Sequence, residues 1–385
     1  MVVAARSSEA ESQGGPLTRR PVICLSNGFQ TSYERGFCNA LAENGVAVTL
    51  VGSDNTDLPG LHAAVRVVNL RGSQDAHRPV WRKLFNLLRY YLSILPFVAR
   101  RRDSVVHVMG LLWPLVWCGL VQALWLKVFC HRYVLTVHDV LPHGRHDRLT
   151  RMLCRLAYVL PDSLVVHTQR MRERLSNEFG VSDDRIVVME HGIEFPDMPS
   201  VTTAASGPDE TGVVTILAFG GVASRKGIDM LLESLRLTRF ECRLVIAGEC
   251  VDDVYRARLD DLISVHPRRQ DIVWHDRFVD EAEIPILFGA ASVVVLPYRY
   301  IDQSGVLFQA LRFGVPIVAT QVGEFDRYVT AEVGVLSRPE DAEAFALALE
   351  AWYLRRATYS RERIRALAGQ YDWTMTVRCL VRAYR

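Results

Sequence analysis

The sequence predicts an α/β protein made of two doubly wound, Rossmann-like domains of parallel sheet that face each other across a cleft. Three observations predict it. Short β-branched runs alternate with helix-length apolar patterns, the rhythm of parallel strands covered on both faces. That rhythm breaks once, between Phe195 and Glu210, and then restarts. The chain has 385 residues, enough for two cores of ordinary size.

In the first half, Val22–Leu25 reads as a strand, Ser26–Ser32 as a loop and Tyr33–Glu43 as a helix. Val46–Val51 is the next strand, and Val105–Met109, Tyr133–Val137, Ser163–Val166 and Arg185–Met189 continue the series. Val105 to Leu126 carries no Asp, Glu, Lys or Arg and is long enough to span a bilayer. Pro114 splits it, so a strand followed by a buried helix over Trp113–Phe129 is the preferred reading. After the break, Val213–Phe219, Arg243–Ala247, Asp271–Trp274, Ser292–Leu296 and Pro316–Ala319 read as strands with helices between them. The expected division is a disordered tail over 1–20, a first domain over 21–195, a linker over 196–211, a second domain over 212–370 and a terminal helix over 371–385. That last segment is rich in aromatic and basic residues and is placed back against the first domain.

Composition narrows the function. Lys and Arg number 45 against 43 Asp and Glu, a formal charge of +2, which argues against a dedicated nucleic-acid binder. Hydrophobic residues make up 49%, which argues against disorder. The eight cysteines are scattered without C-x-x-C spacing, and the first twenty residues lack an apolar signal core. These features predict a reducing, cytosolic compartment.

Two segments carry chemistry. The first is Phe219-Gly220-Gly221-Val222-Ala223-Ser224-Arg225-Lys226-Gly227, between a strand and the helix Ile228–Leu235. Glycines let the backbone approach a ligand, a helix start offers free N–H groups to an anion, and Lys226 adds a charge-assisted bond to phosphate. The order is neither a Walker loop nor G-x-G-x-x-G, and an ordinary turn with a solvated lysine has the same letters. The second runs from Leu296-Pro297-Tyr298-Arg299 to Gln303-Ser304-Gly305-Val306-Leu307. Ser304 is a natural N-cap, the N–H groups of Gly305 and Val306 would face an anion, and Arg299 would offer a planar fork to a diphosphate. Two anion sites on one domain point to a nucleoside diphosphate.

The chain resembles the retaining, nucleotide-sugar-dependent glycosyltransferases of family four, which have the GT-B fold. In the first half the likeness lies in Asn27-Gly28-Phe29 with Tyr33-Glu34-Arg35-Gly36, in Leu135-Thr136-Val137-His138-Asp139, and in Val188-Met189-Glu190-His191-Gly192-Ile193. In the second it lies in Arg225-Lys226-Gly227, Ala247-Gly248-Glu249 and Leu296-Pro297-Tyr298-Arg299. The most specific stretch runs from Gln303-Ser304-Gly305-Val306 through Phe313-Gly314-Val315-Pro316 to Val322-Gly323. The resemblance implies transfer of a hexose from a nucleoside diphosphate sugar to a hydroxyl of a glycan, lipid-linked acceptors included. It implies that Lys226 binds the diphosphate, beside Gly220 and Gly221. Arg277, Phe278 and Val279 would lie along the base, the Gly305–Val306 backbone would hold phosphate, and His138 would sit beside the sugar. Gly28 belongs to the loop that closes over donor and acceptor.

The sequence also departs from the family pattern. Gln309 stands where the family has the second glutamate of a pair, and Asp302 is the substitute for the first. The arginine expected before Lys226 is absent at Gly221 and Ala223, so Arg225 or Arg299 takes its place. A non-catalytic nucleotide-sugar-binding subunit is the alternative these gaps leave open. No metal or other cofactor is expected: Asp-x-Asp is absent, and the spacing of His138, Asp139, His143, His146 and Asp147 is not that of a metal site.

Arg78 to Arg102 holds seven basic residues and no acid, with Trp81, Leu84, Phe85, Leu88, Tyr91, Leu92 and Leu95 at helical spacing. It reads equally as a core helix with solvated charges and as a helix lying on an anionic membrane surface.

Overall fold

The computed structural model describes residues 17–26, 31–75, 78–110, 116–141, 147–193, 213–301 and 304–385. The expected linker, Gly28, Asp302, His143 and His146 lie outside them. The first half holds β1 (Val22–Leu25), α1 (Thr31–Glu43), β2 (Val48–Gly52), β3 (Arg66–Asn69), α2 (Val80–Ala99), β4 (Val105–Val108), α3 (Val116–Phe129), β5 (Arg132–Val137), α4 (Arg148–Val159), β6 (Ser163–Val166), α5 (Gln169–Phe179) and β7 (Ile186–Val188). The second holds β8 (Val214–Phe219), α6 (Ile228–Leu237), β9 (Cys242–Ala247), α7 (Asp253–Ser264), β10 (Ile272–His275), α8 (Ile284–Ala290), β11 (Val293–Leu296), α9 (Gly305–Phe313), β12 (Ile317–Thr320), α10 (Phe325–Tyr328), β13 (Gly334–Ser337), α11 (Ala342–Arg355) and α12 (Arg361–Ala368). Two short turns of helix, α13 (Trp373–Thr376) and α14 (Val381–Tyr384), end the chain.

The strands form two parallel sheets, ordered β3-β2-β1-β4-β5-β6-β7 and β10-β9-β8-β11-β12-β13. Each order reverses once, between β1 and β4 and between β8 and β11, and ligands bind outside the strand carboxyl ends at such points. The central strands are buried on both faces, so they read as unbroken apolar runs: Val-Ile-Cys-Leu in β1 and Val-Val-Val-Leu in β11. The edge strands β3 and β13 escaped the sequence reading. β3 is four residues long, half-buried and bounded by Arg66 and Asn69, and β13 begins on a glycine, so neither forms a long apolar run.

One face of the first sheet is covered by α1 and by the end of the chain. Trp373, Val377, Leu380 and Tyr384 share a buried cluster with Val22, Phe37 and Leu50. The Trp373 indole lies against Gly36 and Gly192, where any Cβ would overlap it. The Tyr384 hydroxyl meets His107 Nδ1 of β4 at 2.7 Å. The other face carries α2, α3, α4 and α5. The helix expected to be buried, α3, is only half so: Val121, Leu124 and Val128 point outward and are exposed. Among the described residues no helix is long and apolar enough to cross a membrane.

Candidate active site

At the β8–β11 reversal the turn after β8 meets the start of α9. Gly220 takes φ +85°, which favours glycine, and a Cβ there would lie 3.1 Å from Lys226 Nζ and 3.2 Å from Val306 Cγ2. The ammonium and the first turn of α9 therefore converge on one bare stretch of backbone. Ser304 caps α9 by accepting the Leu307 N–H, and Gly305 opens onto free space.

Lys226 is 9% exposed, and its ammonium makes one long bond, 3.5 Å to the Phe219 carbonyl, above the Tyr298 ring at 5.4 Å. Burial, with the neighbouring charge of Arg225, pushes its pKa down to about 8. Arg225 Nη1 is buried without a hydrogen-bond partner. Two cations adjacent in sequence thus keep unused donors in the interior. Buried polar groups are normally paired, so donors left over beside a helix start are available to a ligand that accepts hydrogen bonds.

Arg299 does not join them. Its fork closes on Asp229, Nη1 to Oδ1 at 3.0 Å and Nη2 to Oδ2 at 2.9 Å. It also donates to the Ser224 carbonyl, and its backbone N–H donates to the Arg225 carbonyl at 2.8 Å. The geometry that suits a diphosphate equally suits a buried carboxylate, and Asp229 holds it. Burial opposes ionisation of Asp229, but bonds from Arg299 and Tyr255 and the charge of Arg258 prevail and keep its pKa below the ordinary value. Arg299 thus braces the Ser224–Lys226 turn from behind. Arg299→Ala is expected to lower unfolding stability by about 3 kcal/mol, since it strips a buried charge of one partner. A melt matching wild type would count against the brace.

Arg277 is likewise engaged, bidentately by Glu283 and with the Phe278 carbonyl at 3.0 Å. Phe278 is exposed and Val279 half-buried. Gly221 is exposed at the turn, and Gln309, half-buried one turn into α9, accepts from Arg312 Nη1 at 3.4 Å.

The facing sheet contributes histidines. In parallel register Val137 of β5 pairs with Val166 of β6, which sets His138 beside His167. His138 Nδ1 lies 3.2 Å from His167 Nε2, their other nitrogens facing the carbonyls of Met109 (3.0 Å) and Met189 (2.9 Å). Each carbonyl needs an N–H, so two neutral rings make only two of these three bonds. The one uncommitted lone pair of His138 is on Nδ1, which faces His167 Nε2. His191 stacks on Phe308 of α9 with centroids 5.1 Å apart, joining the two halves. Arg327 pairs with Glu190, and Glu324 accepts the Arg170 N–H at 3.0 Å. Among the described residues no group of His, Cys, Asp and Glu is arranged to hold a metal ion.

Residues 31–195 match the family described as "Glycosyltransferase Family 4", and residues 213–354 match "Glycosyl transferases group 1". The chain belongs to the family-four glycosyltransferases. Glycogen synthase of Mycobacterium tuberculosis is 27% identical over 236 residues, 58% of this chain and 54% of that protein. The D-inositol 3-phosphate glycosyltransferase of Xylanimonas cellulosilytica is 28% identical over 246 residues, 58% and 56% of the two chains. The chain thus spans about half the length of the curated relatives it matches. Among solved structures, sucrose-phosphate synthase of Thermosynechococcus elongatus superposes with a TM-score of 0.73 at 19% identity, covering 94% and 97% of the chains. Anabaena HepE in complex with UDP-glucose gives 0.71 at 15%, covering 93% and 98%. At these identities the likeness shows the fold, which is GT-B.

In this family-four glycosyltransferase, Arg225 is a donor-side residue that the sequence already offers beside Lys226, whereas His107, His167 and His191 are not grouped with His138 by sequence alone. A signal was present. Each of the four consecutive strands β4 to β7 carries a histidine in or just after it.

Proposed function

We propose that the protein is a retaining glycosyltransferase that moves a hexose from a nucleoside diphosphate sugar to a hydroxyl of a glycan, including one held on a lipid. The carrying observation is the convergence of the Lys226 ammonium and the α9 start on Gly220, with a buried, unpartnered Nη1 on the adjacent Arg225. That arrangement stabilises a departing diphosphate without a metal ion: two cations and a helix start neutralise the developing charge, the largest single demand of such a transfer. The solved HepE complex carries UDP-glucose on the same fold, which supports a sugar-nucleotide donor. In this reading His138 lines the sugar side of the cleft as a neutral group, since burial pushes its pKa down to about 4.

The first experiment is thermal stabilisation by UDP, GDP, ADP and their sugar conjugates, without and with Mg²⁺. A ligand at one hundred times its dissociation constant adds about 2.7 kcal/mol of stability. One selective nucleotide, equally effective without Mg²⁺, is the expected result. No shift with any of them would overturn the donor site. A second reading, a non-catalytic donor-binding subunit, is favoured by Gln309 in place of glutamate. Donor binding with neither transfer nor slow donor hydrolysis would select it.

Donor affinity should also depend on pH. The free amine of Lys226 titrates at about 8, and only the ammonium neutralises a phosphate. Above that pH the donor must pull a proton on, so affinity is expected to fall up to about tenfold per pH unit. Isothermal titration between neutral and alkaline pH reads this directly, and a flat profile would remove Lys226 from the diphosphate.

A further inference from the structure

Helices α2, α3 and α4 lie side by side on one face of the first sheet. Each buries one apolar stripe against the sheet and shows a second one outward. On α4 the outward stripe is Leu149, Met152, Leu156 and Val159, spaced three or four apart, while Leu153, Cys154 and Ala157 face the core. On α3 it is Val121, Leu124 and Val128. On α2 it is Trp81, Leu84, Phe85, Leu88 and Leu92. These side chains are 47–72% exposed, and more than half of the large apolar side chains exposed among the described residues lie on these three helices. Scattered apolar residues on a surface mean little, but aligned stripes on three neighbouring helices mark an interaction face.

Charge selects the partner. The three helices contain seven basic residues, Arg82, Lys83, Arg89, Lys127, Arg148, Arg151 and Arg155, and no Asp or Glu. Among the described residues, acids meet the face at its edges: Asp162 pairs with Lys127, Glu178 pairs with Arg151, and Asp147 caps the start of α4. A chain otherwise balanced at 45 basic and 43 acidic residues has cleared one face of carboxylates. Apolar side chains interleaved with cations suit an anionic bilayer, where rings and aliphatic chains enter the acyl boundary and the cations stay among the headgroups. A second copy of the chain would bring the same positive charge to its own contact.

We infer that the outward faces of α2, α3 and α4 together form a docking surface for an anionic lipid bilayer. The sequence singles out only 78–102; the structure extends the face across α3 and α4. The inference does not rest on the transfer reaction.

The test is sedimentation of the full chain with phosphatidylcholine vesicles with and without phosphatidylglycerol, at low and high salt. Wild type is expected to pellet with the anionic vesicles at low salt and to be released by high salt. Arg82→Glu with Lys83→Glu should weaken binding about fivefold or more per changed charge. The deciding variant is Leu149→Ser with Leu156→Ser, whose side chains leave the core untouched. It should weaken binding roughly tenfold while its melting temperature and its turnover on a water-soluble acceptor stay at wild-type values. No binding to anionic vesicles overturns the proposal. Binding unchanged in the α4 variant overturns the three-helix surface. A vesicle-independent dimer lost in the same variant shows that the occupant is a second copy. Vesicle binding by a wild type that shows no turnover would leave docking standing and count against the transferase reading.

Discussion

Replacing Lys226 by alanine is expected to lower turnover of the nucleotide sugar about 10²-fold or more, on the scale of one lost electrostatic donor in a preorganised site. The same change should leave the melting temperature of the ligand-free protein unchanged or raise it. The opposite signs follow from one fact. Lys226 is held 9% exposed beside Arg225, with a single bond of 3.5 Å. Burial and the like charge push its pKa down to about 8, so the ionised amine is less favourable in the folded chain than in the unfolded one. A lysine kept for packing would show the reverse, and its loss would cost stability. Fold stability sacrificed at a position of converging donors marks a site that a ligand completes. Arg225→Ala, which removes the other unpaired donor, should weaken donor binding by about tenfold or more. Normal turnover in Lys226→Ala, or a large fall in its melting temperature, would assign the residue to the scaffold.

What the sequence disclosed and withheld follows from range. Strands buried on both faces are apolar runs, so β1 and β6 are legible residue by residue and β5, β8 and β11 to within one residue. The cap at Ser304 and the glycine turn at Gly220 are local grammar and also legible. Partners far apart in the chain are not. Arg299 looks like a phosphate ligand when only its own loop is read, and the carboxylate that holds it is Asp229, seventy residues earlier. The stripe of α4 fails in another way. Leu149, Met152, Leu156 and Val159 have the same letters as core residues, and only the fold shows that they face outward. Periodicity reports that a helix has an apolar face; here α4 has two.

The histidines beneath the cleft set the second large effect, on stability against pH. Burial holds His107 to about 3 and His138 and His191 to about 4, and drives His167 well below the ordinary 6.5. The folded chain keeps these rings neutral, while the unfolded chain takes up protons below about pH 6.5. Their contribution is therefore complete above pH 6.5 and is lost as pH falls toward 4. His107, His138 and His191 each forfeit roughly 2 kcal/mol by about pH 5, and His167 adds in the same direction, so the cluster rivals the 5–15 kcal/mol that holds a domain folded. Urea midpoints are expected to be level above pH 6.5 and to fall steeply below it. The rings differ in how they take a proton. The His138–His167 contact lacks one hydrogen while both rings are neutral, so the first proton fills an existing gap between them. His107 bonds two hydroxyls, those of Tyr384 and Thr136, which donate or accept as required, so a neutral ring there is already satisfied. His107 should accordingly resist protonation longest, and its bond to Tyr384 should be the last tie between β4 and the chain end to open. Ring-proton NMR across the same pH range should show the His138–His167 pair titrating first. His167→Gln should flatten the acid limb by about one ring's share. A level midpoint down to about pH 5 would mean that the cluster is solvated and that the cleft floor is open to water.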